Sequence, residues 1–226
     1  MRRRKPLPTR SRRALRRLAV LAALLAVLNG LGIYRVTPWR GVGAIADLCD
    51  VEQPEKVCRF YDGTLPVYRF ALHYLVDGQD AMMLCTTGFH PLMGWYDRDW
   101  CRVETWDGAP VHAGVISHAQ GGKRTAYLFG RVDNGYIDRF TLTFTELTEG
   151  EGGTIERVPH SMDLPASALF RGGNDRRYLL TALDLPWVED APFAPQFQDF
   201  RILGYDHAGN VLADEEVFWR SWSSGR

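Results

Sequence analysis

The residues with the most chemical potential lie in one short run, Gly94-Trp95-Tyr96-Asp97-Arg98-Asp99-Trp100-Cys101, with Trp106 just beyond it. Flat aromatic faces beside carboxylates and a guanidinium are the parts of a platform for a sugar ring or a peptide. Trp95, Tyr96, Trp100 and Trp106 are therefore the candidate ligand-binding residues. The commoner use of such rings is to fill the core of a small cross-linked subdomain, and on sequence alone that reading takes precedence. Asp97 and Asp99 would form the acid–base pair if the platform hydrolysed a glycoside. An Asp-x-Asp pair is as readily a turn or a solvated face.

Other reaction classes leave no signature. No serine sits in the G-x-S-x-G frame of an esterase, and none is followed by lysine at the third position. There is no H-E-x-x-H, phosphate-binding loop or dinucleotide glycine pattern. On one regular strand His112 and His118 would stand about 20 Å apart, too far to share a metal. Asp133, Asn134 and Asp138 lack the frame of a twelve-residue calcium loop, and turn chemistry accounts for them. No metal site and no cofactor are expected.

The cysteines, Cys49, Cys58, Cys85 and Cys101, number four. An even count in an exported segment reads as two disulfides. Three pairings are possible, and the local set, Cys49–Cys58 and Cys85–Cys101, is favoured. Zinc sites use C-x₂₋₄-C spacings, whereas eight and fifteen residues separate these pairs.

Export is argued from the N-terminus. Residues 1–17 form a basic tail holding nine of the 27 Lys and Arg and no acid. Residues 18–226 therefore carry 18 basic against 27 acidic side chains, a net of −9. Phosphate binding needs a cationic surface, so a nucleic-acid partner for the main domain is not expected. Leu18–Tyr34 is uncharged, and as a helix its 17 residues would span about 26 Å, the short end of a bilayer core. The expectation is a transmembrane anchor over 18–34 that makes the membrane a partner. The N-terminus would be cytoplasmic and the C-terminal domain extracytoplasmic. A retained anchor is favoured over a cleaved signal peptide because no A-x-A-like site follows the apolar run.

The elements that would position the aromatic run are strands. Val67–Val76 alternates, and Ala81–Thr87 returns after Asp77-Gly78-Gln79-Asp80 as a hairpin partner. Arg124–Val132 and Tyr136–Thr145 flank Asp133-Asn134-Gly135, which predicts a short hairpin. Tyr136–Thr145 places Phe140, Leu142 and Phe144 on one face and polar residues on the other. Asp199–Tyr205 and Val211–Ala213 flank a further turn, and Phe218–Trp222 reads as a last strand with inward rings. A short helix is expected around Ala44–Cys49. The fold class is mainly β, with sandwich-like antiparallel sheets in the ectodomain after one N-terminal transmembrane helix. Two subdomains are expected, a cysteine- and aromatic-containing one over 35–118 and a β-sandwich-like one over 119–226, joined through the loop-like His118–Lys123. The tip Glu149–Gly153 and the Pro-rich 186–195 read as loops.

Three stretches, Tyr127–Asp133, Ile137–Leu142 and Phe200–Asp206 followed by Gly209-Asn210-Val211, resemble a type of uncharacterised membrane-anchored exported β-domain protein of Gram-positive bacteria. The resemblance covers about residues 60–215 and rests on structural residues, with the cysteines outside it. It implies an envelope location and a sandwich-like fold, and no activity. The functional expectation is a membrane-tethered extracytoplasmic module that binds or senses an envelope glycan, a peptide or a membrane protein. An envelope hydrolase and a scaffold subunit of a membrane complex are the alternatives.

Overall fold

A computed structural model describes residues 9–61, 72–120, 123–150, 153–185 and 196–223. Two helices, Thr9–Gly30 (α1) and Pro38–Leu48 (α2), precede the strands. Strands Glu55–Phe60 (β1), Leu72–Asp77 (β2), Ala81–His90 (β3) and Gly94–Glu104 (β4) form a first sheet in that order. A second sheet takes Val111–Gln120 (β5), Lys123–Val132 (β6), Leu169–Arg171 (β9), Arg177–Leu183 (β10) and Phe218–Ser223 (β13), in the order β13-β5-β6-β10-β9. The third combines Arg139–Glu149 (β7), Ile155–Asp163 (β8), Gln196–Tyr205 (β11) and Val211–Glu216 (β12), in the order β12-β11-β7-β8. The described strands are thus mainly antiparallel. β13 is the exception, running parallel to β5 with Phe218 opposite Gly114.

Three apolar clusters hold the layers together. Val115, Leu128 and Leu179 of the second sheet meet Phe140, Leu142, Phe144 and Ile202 of the third. The opposite face of the second sheet, through Ile116, Phe129 and Tyr178, packs on Leu75, Leu84, Cys101 and Val103 of the first. The first sheet's outer face is covered by α2, whose Val42, Ile45, Ala46 and Cys49 follow helical spacing and meet Tyr74, Met83 and Cys85. The order is helix, sheet, sheet, sheet. A middle sheet covered on both faces cannot alternate, and residues 111–117 and 126–132 are buried without a break. The third sheet has one wet face, and β7 alternates as expected.

Gly114 makes the close approach of the first two sheets possible. A Cβ there would lie 2.5 Å from Val103 Cγ2 and 2.9 Å from the Phe129 ring.

Several expectations are corrected. The helix expected over 18–34 begins earlier and ends at Gly30. Gly32 takes φ 73°, and Leu31, Ile33 and Tyr34 return their N–H groups to Val27 and Leu28. Arg40 then donates to the Asn29 carbonyl at 2.6 Å. The chain therefore turns before the apolar run is used up, and the helix spends its first half on arginines. No helix among the described residues is long and apolar enough to cross a membrane.

None of the four cysteines is in a disulfide. The sheet's pleat explains why the local pairs fail. Cys85 faces α2 together with Cys49, whereas Cys101 and Cys58 face the second sheet. Each expected pair is thus divided between opposite faces of the first sheet. Cys58 and Cys101 share a face but occupy its two outermost strands, about 14 Å apart at the usual strand spacing.

The Asp133-Asn134-Gly135 turn does not close a hairpin. β6 and β7 belong to different sheets, and the segment is a crossover between them. Asn134 Oδ1 accepts the Tyr136 N–H at 3.0 Å, and Arg177 donates to the carbonyls of Asn134, Gly135 and Ile137. Buried Ile137 anchors the bend. The expected joint at 118–123 is where the true hairpin lies, with Gln120 opposite Lys123, so the 118/119 boundary falls within one sheet. Of the strand expected over Val67–Val76, residues 67–71 lie outside the described residues, as do 186–195.

Candidate functional site

A cavity of 620 Å³ opens where the end of β4 meets the start of β5 and the corner between β12 and β13. β4 supplies Trp100, Arg102 and Glu104, and Trp106 follows it; His112 comes from β5, and Glu215, Glu216 and Phe218 from the corner. The corner is set by Val217, whose side chain is buried and whose N–H is donated to the Phe200 carbonyl at 2.8 Å. Val217 turned inward leaves its neighbours Glu216 and Phe218 facing out.

A bulge in β4 decides which aromatic residues meet. Thr86 opposes Asp99 and Thr87 opposes Asp97, which leaves Arg98 as the extra residue. Beyond it the side-chain parity is reset, so Trp95 and Trp100, five positions apart, share the face of β4 that also carries Arg102 and Glu104. Trp100 and Trp106 line the cavity. Trp95 sits at the far end of β4, edge-on to Phe89 with centroids 5.6 Å apart, its N–H donated to the Arg35 carbonyl. Tyr96 points to the other face, against His90. Asp99 is buried and its Oδ1 accepts the Trp100 N–H at 2.8 Å; it is not among the residues that line the cavity, and the side chain of Asp97 lies outside those described.

Polar groups in the cavity wall are only partly satisfied. Arg102 reaches Glu104 at 3.0 Å and Asp80 at 3.6 Å, yet its buried Nε has no hydrogen-bond partner among the described residues. His112 is 2% exposed. Its Nε2 lies 3.4 Å from Asp133 Oδ2, a proximity rather than a formed hydrogen bond, and both ring nitrogens are buried without a hydrogen-bond partner among the described residues. The Trp106 ring stands edge-on to the imidazole at 4.8 Å. A carboxylate facing Nε2 favours the tautomer protonated there, which leaves Nδ1 as an acceptor. Asp133 is itself held by Arg131 at 3.1 Å. Burial would raise its pKa, but His112 and the Arg131 guanidinium outweigh burial and hold it below the ordinary aspartate value.

No known family model, curated protein or solved structure matches the chain. The site must be read from its own geometry.

That geometry offers aromatic surface, one unfilled donor at Arg102, one unfilled acceptor at His112 and three glutamates. Leaving a buried polar group without a partner costs on the order of 1–3 kcal/mol, and Arg102 Nε and the two His112 ring nitrogens are such groups. No serine, threonine or cysteine is among the lining residues, so the wall holds no nucleophile of those types. No group of three metal-ligating side chains occurs among the described residues.

The sequence reading singled out Trp100 and Trp106 and passed over Arg102, Glu104, Glu215 and Glu216; it expected Phe218 to be an inward ring of the last strand, whereas its side chain is exposed and lines the cavity. It weighed His112 only as a metal ligand. The missing half left no local signal, because β13 reaches β5 by a parallel pairing that no local pattern encodes.

A second polar cluster ties the first two sheets together. Asp77, 2% exposed, accepts from Arg176 at 2.6 Å, from Tyr178 Oη at 2.8 Å and from Arg131 at 3.4 Å. Its acceptor capacity is used within the protein, so it is a clamp.

Proposed function

We propose that this protein is a binding module that takes a sugar ring into the cavity between Trp100 and Trp106. The observation that carries the reading is that Arg102 and His112 hold buried polar atoms without a hydrogen-bond partner among the described residues, in a wall that also carries the Trp100, Trp106 and Phe218 rings. A pyranose has apolar C–H faces that stack on indole, and hydroxyls that both donate and accept. It can fill the donor and the acceptor together. Titration of the full chain with neutral, amino and acidic trisaccharides, followed by tryptophan fluorescence, tests this. Saturable binding that falls about tenfold in Trp106→Ala is expected, a stacked ring being worth on the order of 1 kcal/mol or more. Binding unaffected by that change would remove the cavity from consideration.

We further propose that the module is attached to a membrane through α1. Leu18, Val20, Leu21, Leu24 and Val27 are each more than half exposed. So much unpartnered apolar surface beside arginines suits the boundary between headgroups and acyl chains.

The His112–Asp133 pair also favours a hydrolytic reading. Nδ1 would act as general base toward a water molecule. New reducing ends appearing from a bound oligosaccharide, and lost in His112→Gln, would establish it.

A further inference from the structure

The charges around the cavity narrow the ligand further. Glu104, Glu215 and Glu216 stand against a single cation, Arg102, and Arg102 is already engaged by Asp80 and Glu104. The cation nearest in register, Arg201 opposite Glu216, is held by Asp214, and among the cavity-lining residues each formal charge beyond the Arg102–Glu104 pair is negative. His112 lines the same cavity; its side chain is fully buried, its Nε2 lies 3.4 Å from Asp133, and its Nδ1 has no hydrogen-bond partner among the described residues. The rings of Trp100, Trp106 and Phe218 complete the wall with negative π faces, which attract cations. Acceptors and π faces therefore outnumber donors, and the ligand that balances them brings hydrogen-bond donors and positive charge.

Resting on the sugar-ring reading above, we propose that the cavity selects an amino sugar whose free ammonium meets Glu215, Glu216 and His112 Nδ1. The ring stacks on Trp100 and Trp106 while the ammonium directs its N–H groups to these acceptors. Acetylating the amine removes the charge and leaves a single N–H, so the N-acetylated sugar loses most of this contact. A plain hexose offers hydroxyls alone.

The test is calorimetric titration of the full chain, in detergent, with three trisaccharides of the same linkage built from glucosamine, N-acetylglucosamine and glucose. The glucosamine trisaccharide is expected to bind at least about tenfold more tightly than either neutral one, as charge-assisted hydrogen bonds exceed neutral ones by about that much. The preference should fade as pH is raised through the amine's own pKa, and should shrink to near none in a Glu215→Gln/Glu216→Gln variant that still binds the neutral sugars. Neutral trisaccharides binding as tightly as the amine would overturn the charge selection and leave the sugar cavity standing. A preference that survives in the double variant would overturn the assignment to these glutamates. Absence of binding by all three would overturn both this inference and the reading on which it rests.

Discussion

Asp77 shows how a single buried carboxylate can join two layers. It is nearly inaccessible, and Arg131, Arg176 and Tyr178 all donate to it. Asp77→Ala removes the shared acceptor and leaves the Arg131 guanidinium, 9% exposed, with Asp133 alone. Urea denaturation should show a loss of about 3 kcal/mol, the range for a broken buried ion pair; a loss under about 1 kcal/mol would mean that Asp133 and solvent replace it. Asp133 carries a pH signature. Its folded pKa lies below the ordinary 3.8, so its contribution to stability is fully present above that value and is lost as pH falls through the lowered one. Asp133→Asn should therefore flatten the acid limb of stability below about pH 4 and leave the neutral plateau's shape unchanged. The cysteines give a third check. With no disulfide present, denatured, unreduced protein should take up alkylating reagent at all four. In the native fold burial pushes the Cys85 thiol's pKa far up, which should make it slow to react. The sequence showed that four cysteines lay close along the chain. It did not show that one turn of the pleat puts each adjacent pair on opposite faces.

Elements differ in how much of them local pattern encodes. β7 was legible because one of its faces is wet, and so was the turn between β11 and β12, where Asp206 accepts the Asn210 N–H. β5 and β6 lie in a sheet buried on both faces, where alternation vanishes, and the loop-like 118–123 looked like a linker though His118–Gln120 and Lys123 belong to paired strands. Asn134-Gly135 carried a hairpin signal, but Arg177, from a strand more than 40 positions away, donates to both of their carbonyls, and the segment crosses between sheets instead. The prediction at this scale concerns sheet-to-sheet contact. Gly114→Ala places a methyl against Val103 and Phe129 and should cost about 1–3 kcal/mol by overpacking. Pairing it with Val103→Ala should recover part of that loss in thermal unfolding. Additive losses would mean that the two sheets do not meet at this point.

At the scale of the molecule, the candidate site exists because three parts of the chain converge: the end of β4, the start of β5 and the corner before β13. Two of the four aromatic residues marked from sequence, Trp100 and Trp106, reach this meeting point, while Trp95 and Tyr96 are held at the opposite end of β4. Composition could mark the aromatic run, but the parallel β13–β5 pairing that brings Glu215, Glu216 and Phe218 across from it is a long-range choice. The exposed apolar side of α1 belongs to the same scale. The full chain should float with vesicles containing anionic lipid, and a chain lacking residues 1–30 should remain in the soluble fraction; equal behaviour of the two would leave α1 without a membrane role.

The most direct test of the cavity as a binding site is ¹⁹F NMR of the full chain labelled with 5-fluorotryptophan, titrated with the glucosamine trisaccharide. Seven tryptophan resonances are available, assigned by single Trp→Phe changes. Shifts confined to Trp100 and Trp106 are predicted. Unmoved resonances at both, or shifts centred on Trp95 instead, would contradict the account.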